Sequence, residues 1–133
     1  DAEGKVSAVA SVIRDETEAY QRPGQIAMSG PGVMLQPNSV QPVSLIVHEL
    51  ATNAAKYGAL STDGGWVEIV WTTDNGQLDF CWREHGGPPV TAPTRRGFGS
   101  LLITRNLGVA FGGTADLQFD PTGLTCRLTT AAD

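Results

Sequence analysis

The sequence predicts an α+β fold, a two-layer sandwich in which helices pack on one face of a mixed, largely antiparallel sheet. Two observations lead to this fold class. Segment 38–57 has the apolar spacing of a long helix, whereas the second half of the chain changes to the alternating apolar and polar pattern of strands. The strand-like runs are joined in pairs by turn residues, and helices interspersed with such hairpins favour one sheet covered on one face.

Length and composition limit the classes of protein to which the chain can belong. Its 133 residues suit a single domain, and 41% hydrophobic with 17% charged residues is enough apolar matter for a packed core. A net charge of −5 argues against a general nucleic-acid binder. No apolar run approaches the roughly 20 residues of a membrane helix, so we expect a cytoplasmic domain without direct membrane contact.

The first third of the chain predicts one helix and one small hairpin. Segment 6–20 has apolar residues near helical spacing. Glycine and proline then punctuate two short apolar runs, 25–29 and 33–36, which we interpret as a hairpin. Residues 1–35 are therefore expected to form an N-terminal helix and hairpin within one domain spanning residues 1–133.

The long helix over 38–57 has recognisable end signals. Ser39 can act as its N-cap, and Pro42 is tolerated in the first turn. Gly58 can end the helix with a positive φ. These signals predict the bounds of the best helix in the chain.

The second half predicts two hairpins separated by a loop and a helix. Runs 65–73 and 77–85 are joined by Asp74-Asn75-Gly76, a strong hairpin turn. A loop rich in glycine and proline follows over 86–99, and then a helical stretch over 100–111. The last strands, 114–119 and 124–130, flank a second turn.

A polar stripe follows the long helix beside its apolar face. Val43, Val47, Leu50 and Ala54 fall on the core face, and Glu49, Asn53 and Lys56 share the neighbouring stripe. The carboxylate can polarise a water or hydroxyl, the amide oxygen can complete a Mg²⁺ shell, and the lysine can meet phosphate. The alternative is an ordinary amphipathic helix with a solvated polar side.

Zinc sites and disulfides are not predicted. The pair His48-Glu49 would begin a metalloprotease motif only with histidine at position 52, where Thr52 stands. His48 points about 100° away from Glu49 on the helix, so we expect a structural imidazole. Cys81 and Cys126 are isolated from each other and from any metal-ligand spacing.

Two glycine-containing loops carry further candidate residues. Glu84 ends a strand just before Gly86, so its carboxylate could accept from a base amino group while the backbone comes close. Gly97 and Gly99 open a helix whose free N–H groups suit phosphate, with Arg96 adding positive charge beside them. The alternatives are a strand ending in a solvated turn and a plain helix-entry loop.

Taken in order, three motifs resemble the ATP-binding catalytic domain of sensor histidine kinases. The three motifs are H-E-L-A-T-N-A-A-K-Y-G-A-L, W-R-E-H-G-G-P and R-R-G-F-G-S. They resemble the HWE subfamily in particular. That subfamily is named for a histidine and a Trp-x-Glu motif, which correspond here to His48, Trp82 and Glu84. The match covers about residues 36–130. It implies the Bergerat fold shared with gyrase-type ATPases.

The resemblance also implies roles on the long helix. Asn53 is expected to bind Mg²⁺, and Glu49 stands where the family has its base or water-polarising residue. Lys56 is expected to contact the phosphates of ATP, and Tyr57 to pack near the nucleoside.

The same resemblance assigns the glycine loops to the nucleotide. Glu84 takes the place of the usual aspartate that binds the adenine amino group, and Gly86 matches the first glycine after that acid. Gly97 and Gly99 match the phosphate-binding glycines, with Arg96 beside them. Between Pro88 and Gly97 the lid is short and lacks a phenylalanine box, as in the HWE group.

The resemblance implies partners that this segment does not contain. A histidine kinase of a two-component system phosphorylates a histidine on a separate helical hairpin, which also dimerises and docks the response regulator. His48 lies in the nucleotide site and His85 in a glycine loop, so neither resembles that acceptor. We therefore expect a catalytic fragment. The alternatives are a gyrase- or chaperone-type ATPase and a non-catalytic docking module.

Overall fold

The computed structural model describes residues 7–20, 24–35, 37–88, 114–120 and 123–131. Within these residues the chain forms two α-helices and seven strands. In chain order they are β1 (Ser7–Ala8), α1 (Val9–Thr17), β2 (Ile26–Ser29), β3 (Met34–Leu35), α2 (Pro37–Tyr57), β4 (Trp66–Asp74), β5 (Gln77–His85), β6 (Thr114–Asp120) and β7 (Gly123–Ala131). A short 3-10 turn follows each helix.

The main sheet confirms the predicted fold class. Its order is β2-β4-β5-β7-β6, in which β2 pairs parallel with β4 and the other neighbours pair antiparallel. The helices α1 and α2 pack on the mixed sheet, and the inward side chains of helices and strands form one core. The long helix is therefore held against the sheet along its apolar face.

The core face of α2 is the one that the spacing predicts. Val43, Val47, Leu50 and Ala54 are all buried. The largest fully buried side chains of the strands include Trp82, Phe80 and Ile69. None of the helices in the part of the chain that the structure describes is long and apolar enough to cross a membrane.

The predicted hairpin of runs 25–29 and 33–36 is wrong. Strand β2 pairs parallel with β4, whereas β3 pairs antiparallel with β1 in a separate two-stranded sheet. The connection between the two runs is held by β4, because the Trp71 indole donates to the Pro31 carbonyl oxygen at 2.8 Å and packs against Gly30. A contact with a distant strand thus replaces the local turn.

The start of α2 also differs from the prediction. The helix begins at Pro37, so Ser39 lies in its first turn and not at the N-cap. Pro42 is consequently the sixth helical residue, beyond the first turn. Its ring removes one main-chain donor of the helix, and the residue is buried.

Gly58 ends α2 for a reason other than the predicted positive φ. Its φ is −121°, and its N–H donates to the Ala54 carbonyl oxygen at 3.0 Å. A Cβ at this position would overlap Oε1 of Glu84, which lies on β5. The glycine is therefore required by the close approach of a carboxylate.

Gly58→Ala is expected to destabilise the fold by about 1–3 kcal/mol, because the added methyl group must displace the Glu84 carboxylate. Urea denaturation measures the change. Gly32→Ala is the matched control, since no atom lies within 4 Å of a Cβ there. Equal stability of the two variants would contradict the steric explanation.

The hairpin of β4 and β5 is confirmed. Asn75 and Gly76 have φ values of 53° and 75°, which is the two-residue turn that matches strand twist. Strands β6 and β7 also pair as predicted, from Asp120 opposite Gly123 onward. The predicted loop beyond Pro88 and the helix over 100–111 lie outside the described residues.

Candidate functional site

The polar stripe of α2 passes from the edge of the core into solvent. Asn53 is only 8% exposed, Glu49 is half-buried and Lys56 is exposed. The Asn53 side-chain nitrogen donates to the Glu49 carbonyl oxygen at 2.8 Å. Because the nitrogen is occupied by the helix, Oδ1 is the atom of Asn53 that could bind a cation.

Glu84 is a buried carboxylate with a defined orientation. It is 5% exposed, its Oε1 accepts from the Ala59 N–H at 3.1 Å, and its Oε2 accepts from the Trp82 indole at 3.0 Å. Burial raises the pKa of Glu84 above its usual value of 4.5, and the two hydrogen bonds oppose that shift. The acid is therefore held in place by two elements, strand β5 and the turn after α2.

The glycines after β5 pack against the segment that follows α2. Gly86 has a φ of +71°, and a Cβ there would lie 2.6 Å from the Gly64 carbonyl oxygen. A Cβ on Gly87 would lie 2.8 Å from the Ala59 nitrogen. Because neither position has room for a side chain, the turn seats directly against the segment that follows α2.

This packing brings two of the sequence motifs together. Lys56 and Tyr57 are the last residues of α2, next to Gly58, and Glu84 contacts the turn that begins at Ala59. Tyr57 is 43% exposed, so its ring is accessible beside this junction. The acid of β5 and the polar end of α2 thus form one candidate site. Its remaining predicted residues, Arg96, Gly97 and Gly99, lie outside the described residues.

His48 has partners on α1 and on the 3-10 turn that follows it, as expected for a structural imidazole. Its Nδ1 lies 3.2 Å from Oε1 of Glu16, and its ring meets Tyr20 edge-on with centroids 6.1 Å apart. Ser44 donates to the other oxygen of the same glutamate. The histidine therefore joins α1 to α2.

His85 does not lie in a glycine loop, as the sequence interpretation has it. It is the last residue of β5 and pairs with Trp66 of β4. The two rings stack at 4.3 Å, and Nε2 lies 3.3 Å from Oε1 of Glu68. The predicted strand run 77–85 is therefore confirmed, and the turn begins only at Gly86, which has the positive φ.

The Ala59 N–H is a partner of Glu84 that the sequence did not predict. The indole contact had a detectable signal, since residues two apart on a strand project from the same face. Trp82 and Glu84 satisfy that spacing. The Ala59 contact had no such signal, because it joins positions 25 residues apart.

The described residues contain no preformed metal cage. Among residues 7–20, 24–35, 37–88, 114–120 and 123–131, no group of three or more His, Cys, Asp or Glu side chains could hold a metal. Cys81 and Cys126 are free thiols. The pKa of Cys126 is raised to about 12, mainly because the thiol is buried. A cation at Asn53 would therefore need oxygens from water and a bound nucleotide.

The architecture is that of histidine kinase catalytic domains. The histidine kinase domain of the Erythrobacter litoralis EL346 blue-light-activated kinase superposes with a TM-score of 0.70 at 18% identity, covering 92% of this chain and 58% of that one. The kinase domain of the Escherichia coli osmosensor EnvZ gives 0.65 at 17% identity, covering 98% and 89%. At these identities the likeness concerns the fold.

Sequence comparison adds the family. The chain is 40% identical over 108 residues to blue-light-activated histidine kinase 1 of Erythrobacter litoralis, covering 79% of this chain and 30% of that protein. It is 40% identical over 104 residues to the Brucella ovis blue-light-activated histidine kinase, covering 75% and 21%. No family model matches the chain. The chain belongs to the histidine kinase family, as an HWE-type catalytic domain, and spans less than a third of these relatives.

Proposed function

We propose that the chain binds Mg·ATP and transfers its γ-phosphoryl group to a histidine on a separate helical dimerisation domain. The observation that carries the proposal is the junction of Glu84 with the end of α2, which places a buried acceptor beside the polar stripe. The partners are that helical domain and, through it, a response regulator.

The proposed magnesium site uses the amide oxygen of Asn53. A small hard cation usually takes one or two protein ligands and completes its shell with phosphate oxygens and water. The residues fit this pattern, since Oδ1 of Asn53 is available and no larger cage exists among the described residues. When bound, Mg²⁺ would neutralise part of the negative charge of the triphosphate.

Three further residues of α2 are proposed to act on the acceptor imidazole, the phosphates and the nucleoside. Glu49 lies one turn before Asn53, and its carboxylate orients or deprotonates the incoming imidazole. Lys56 is exposed at the end of the helix, where its ammonium group can meet the phosphates. Tyr57 offers an accessible ring face to the nucleoside. Catalysis then consists mostly of positioning and charge neutralisation, as phosphoryl transfer requires.

Arg96, Gly97 and Gly99 complete the proposal as phosphate ligands. Backbone N–H groups at a glycine-led helix start suit an anion, and the arginine adds positive charge. Gly86 belongs to the base side of the site, where its lack of a side chain lets the turn after β5 approach the backbone of Gly64 and Gly65.

Glu84 is proposed to read the base. Adenine presents an amino donor where guanine presents a carbonyl oxygen, so a buried carboxylate pairs with the first and faces an acceptor in the second. An unpaired buried polar group costs about 1–3 kcal/mol, and more when it is charged. The site is therefore expected to prefer ATP over GTP by about tenfold or more.

Glu84→Ala is expected to lose ATP affinity much more than GTP affinity, because it removes the acceptor that only adenine can use. Equilibrium titration of the chain with each nucleotide measures the ratio of dissociation constants. Thermal unfolding of the variant shows separately whether the fold is retained. Equal binding of ATP and GTP by the unmutated chain would refute the role of Glu84 and leave the metal assignment standing.

The transfer step has its own experiment. Labelled ATP should leave no acid-labile phosphate on the isolated chain and should label an added acceptor hairpin from a kinase of this family. Self-labelling on His48 or His85 would overturn the fragment interpretation. ATP hydrolysis without transfer would favour the gyrase-type alternative.

A further inference from the structure

The buried indole of Trp82 donates its hydrogen bond to an ionisable side chain. Its side chain is fully buried, and its size alone would account for its packing among the helices and strands. Its indole N–H nevertheless donates to Oε2 of Glu84 at 3.0 Å, within the same strand. The partner is thus an ionisable side chain that is itself buried and lies at the candidate site.

We propose that Trp82 is a positioning residue for base recognition: its indole N–H and the Ala59 N–H together fix the Glu84 carboxylate in the orientation that accepts the adenine amino group. The inference rests on the proposed function, because it concerns how the acid that reads the base is held. It adds a residue that does not itself touch the nucleotide.

A free glutamate side chain has to be ordered before it can recognise a ligand. It has three rotatable bonds, and ordering them on binding costs conformational entropy. Here each carboxylate oxygen already accepts one hydrogen bond, one from Trp82 and one from Ala59. Two bonds on two different oxygens fix the position and the plane of the group before any ligand arrives.

The anchored carboxylate still has capacity for a ligand. An ionised carboxylate offers about four acceptor positions, and the two anchors use two of them. An incoming amino group can therefore be accepted without breaking either bond. An incoming carbonyl oxygen finds only acceptors, and the anchors prevent the carboxylate from turning away.

The two anchors differ in how they can be tested. The Ala59 donor is a backbone group at the turn after α2, so only proline, which also constrains the backbone, would remove it. The indole donor is a side chain and can be deleted. If it only satisfies a buried tryptophan, its loss lowers stability and leaves base preference unchanged.

The pH dependence of ATP affinity supplies a second readout, because it reports the protonation of Glu84. The indole bond lowers the pKa of Glu84 against the larger upward effect of burial, so deleting it moves that pKa further up. The Cys126 thiol on the neighbouring strand β7 also faces this carboxylate, but with a pKa of about 12 it stays neutral at neutral pH. The pH below which ATP affinity falls should therefore be higher in the variant.

The test compares two tryptophans with similar bonds. Trp82→Phe removes the donor to Glu84, whereas Trp71→Phe removes a buried indole that donates to the Pro31 carbonyl oxygen at 2.8 Å. A third protein replaces Trp82 by benzothienylalanine, in which sulfur takes the place of N–H and the shape is kept. Dissociation constants for ATP and GTP are measured across a pH series, with stability from urea denaturation.

We expect both changes at position 82 to weaken ATP binding by about fivefold to tenfold, with GTP binding changed by less than about twofold. The loss of ATP binding relative to the unmutated chain should grow as pH falls. Trp71→Phe should lower stability and keep the unmutated ATP-to-GTP preference.

The outcomes separate this inference from the proposed function. If the unmutated chain prefers ATP and the benzothienylalanine protein keeps that preference, Trp82 is structural and the inference is wrong. If the unmutated chain shows no preference, the role of Glu84 itself fails. If Trp71→Phe flattens the preference equally, general loosening of the core explains the effect and overturns the inference.

Discussion

Glu49→Gln is expected to bind Mg·ATP nearly as well as the unmutated chain and to slow phosphoryl transfer by about 10²–10⁴-fold, the usual contribution of a positioned acid or base. The amide has nearly the shape of the carboxylate but cannot take up a proton or carry the negative charge that orients an imidazole. The backbone of Glu49 keeps its contacts with Thr52 and Asn53, since both side chains donate to its carbonyl oxygen, which the substitution does not change. The fold of α2 should therefore be unaffected.

The measurement is single-turnover transfer from labelled ATP to an added acceptor hairpin, with nucleotide affinity determined in parallel. Glu18→Gln is the matched control, because it makes the same chemical change at an exposed acid after α1. Transfer by the Glu49 variant at the control rate would remove Glu49 from the catalytic role.

Asn53→Ala is expected to weaken nucleotide binding by about tenfold or more when Mg²⁺ is present, because a protein ligand of the cation is lost. With the cation chelated, the variant and the unmutated chain should bind alike. The side-chain bond to the Glu49 carbonyl oxygen also disappears, but alanine is the strongest helix former and offsets part of that loss.

Competition against a fluorescent ATP analogue, with and without Mg²⁺, measures both affinities. Asn53→Asp serves as the second variant, since it keeps an oxygen where the cation would bind and should retain the Mg²⁺-dependent part of the affinity. If Asn53→Ala binds Mg·ATP as well as the unmutated chain, the metal assignment is wrong.

The parts of the fold that could be predicted are those encoded locally. Asn75 and Gly76 adopt the positive φ values that their residue types favour, so the turn between β4 and β5 follows from a few letters. The parallel pairing of β2 with β4 could not be predicted in this way. It joins residues some 40 positions apart, and the Trp71 bond to Pro31 that accompanies it is equally distant in sequence.

In the candidate site, too, the locally encoded features could be predicted and the tertiary contacts could not. Helical spacing alone places Glu49 and Asn53 on one stripe, and the structure keeps them one turn apart on α2. The need for glycine at position 58, just after α2, could not be predicted from its sequence neighbours, because it depends on where Glu84 of strand β5 lies. The sequence pattern predicted a positive φ at Gly58. The structure shows instead that Gly58 is needed because a side chain there would overlap the Glu84 carboxylate.

Calorimetric titration with a non-hydrolysable ATP analogue shows whether this chain is the Mg²⁺-dependent ATP-binding domain that we propose. Two titrations are needed, one with Mg²⁺ and one with a chelator. We expect saturable binding of one nucleotide per chain that is tighter when Mg²⁺ is present. Absence of binding in both titrations, or identical affinity in the two, would contradict it.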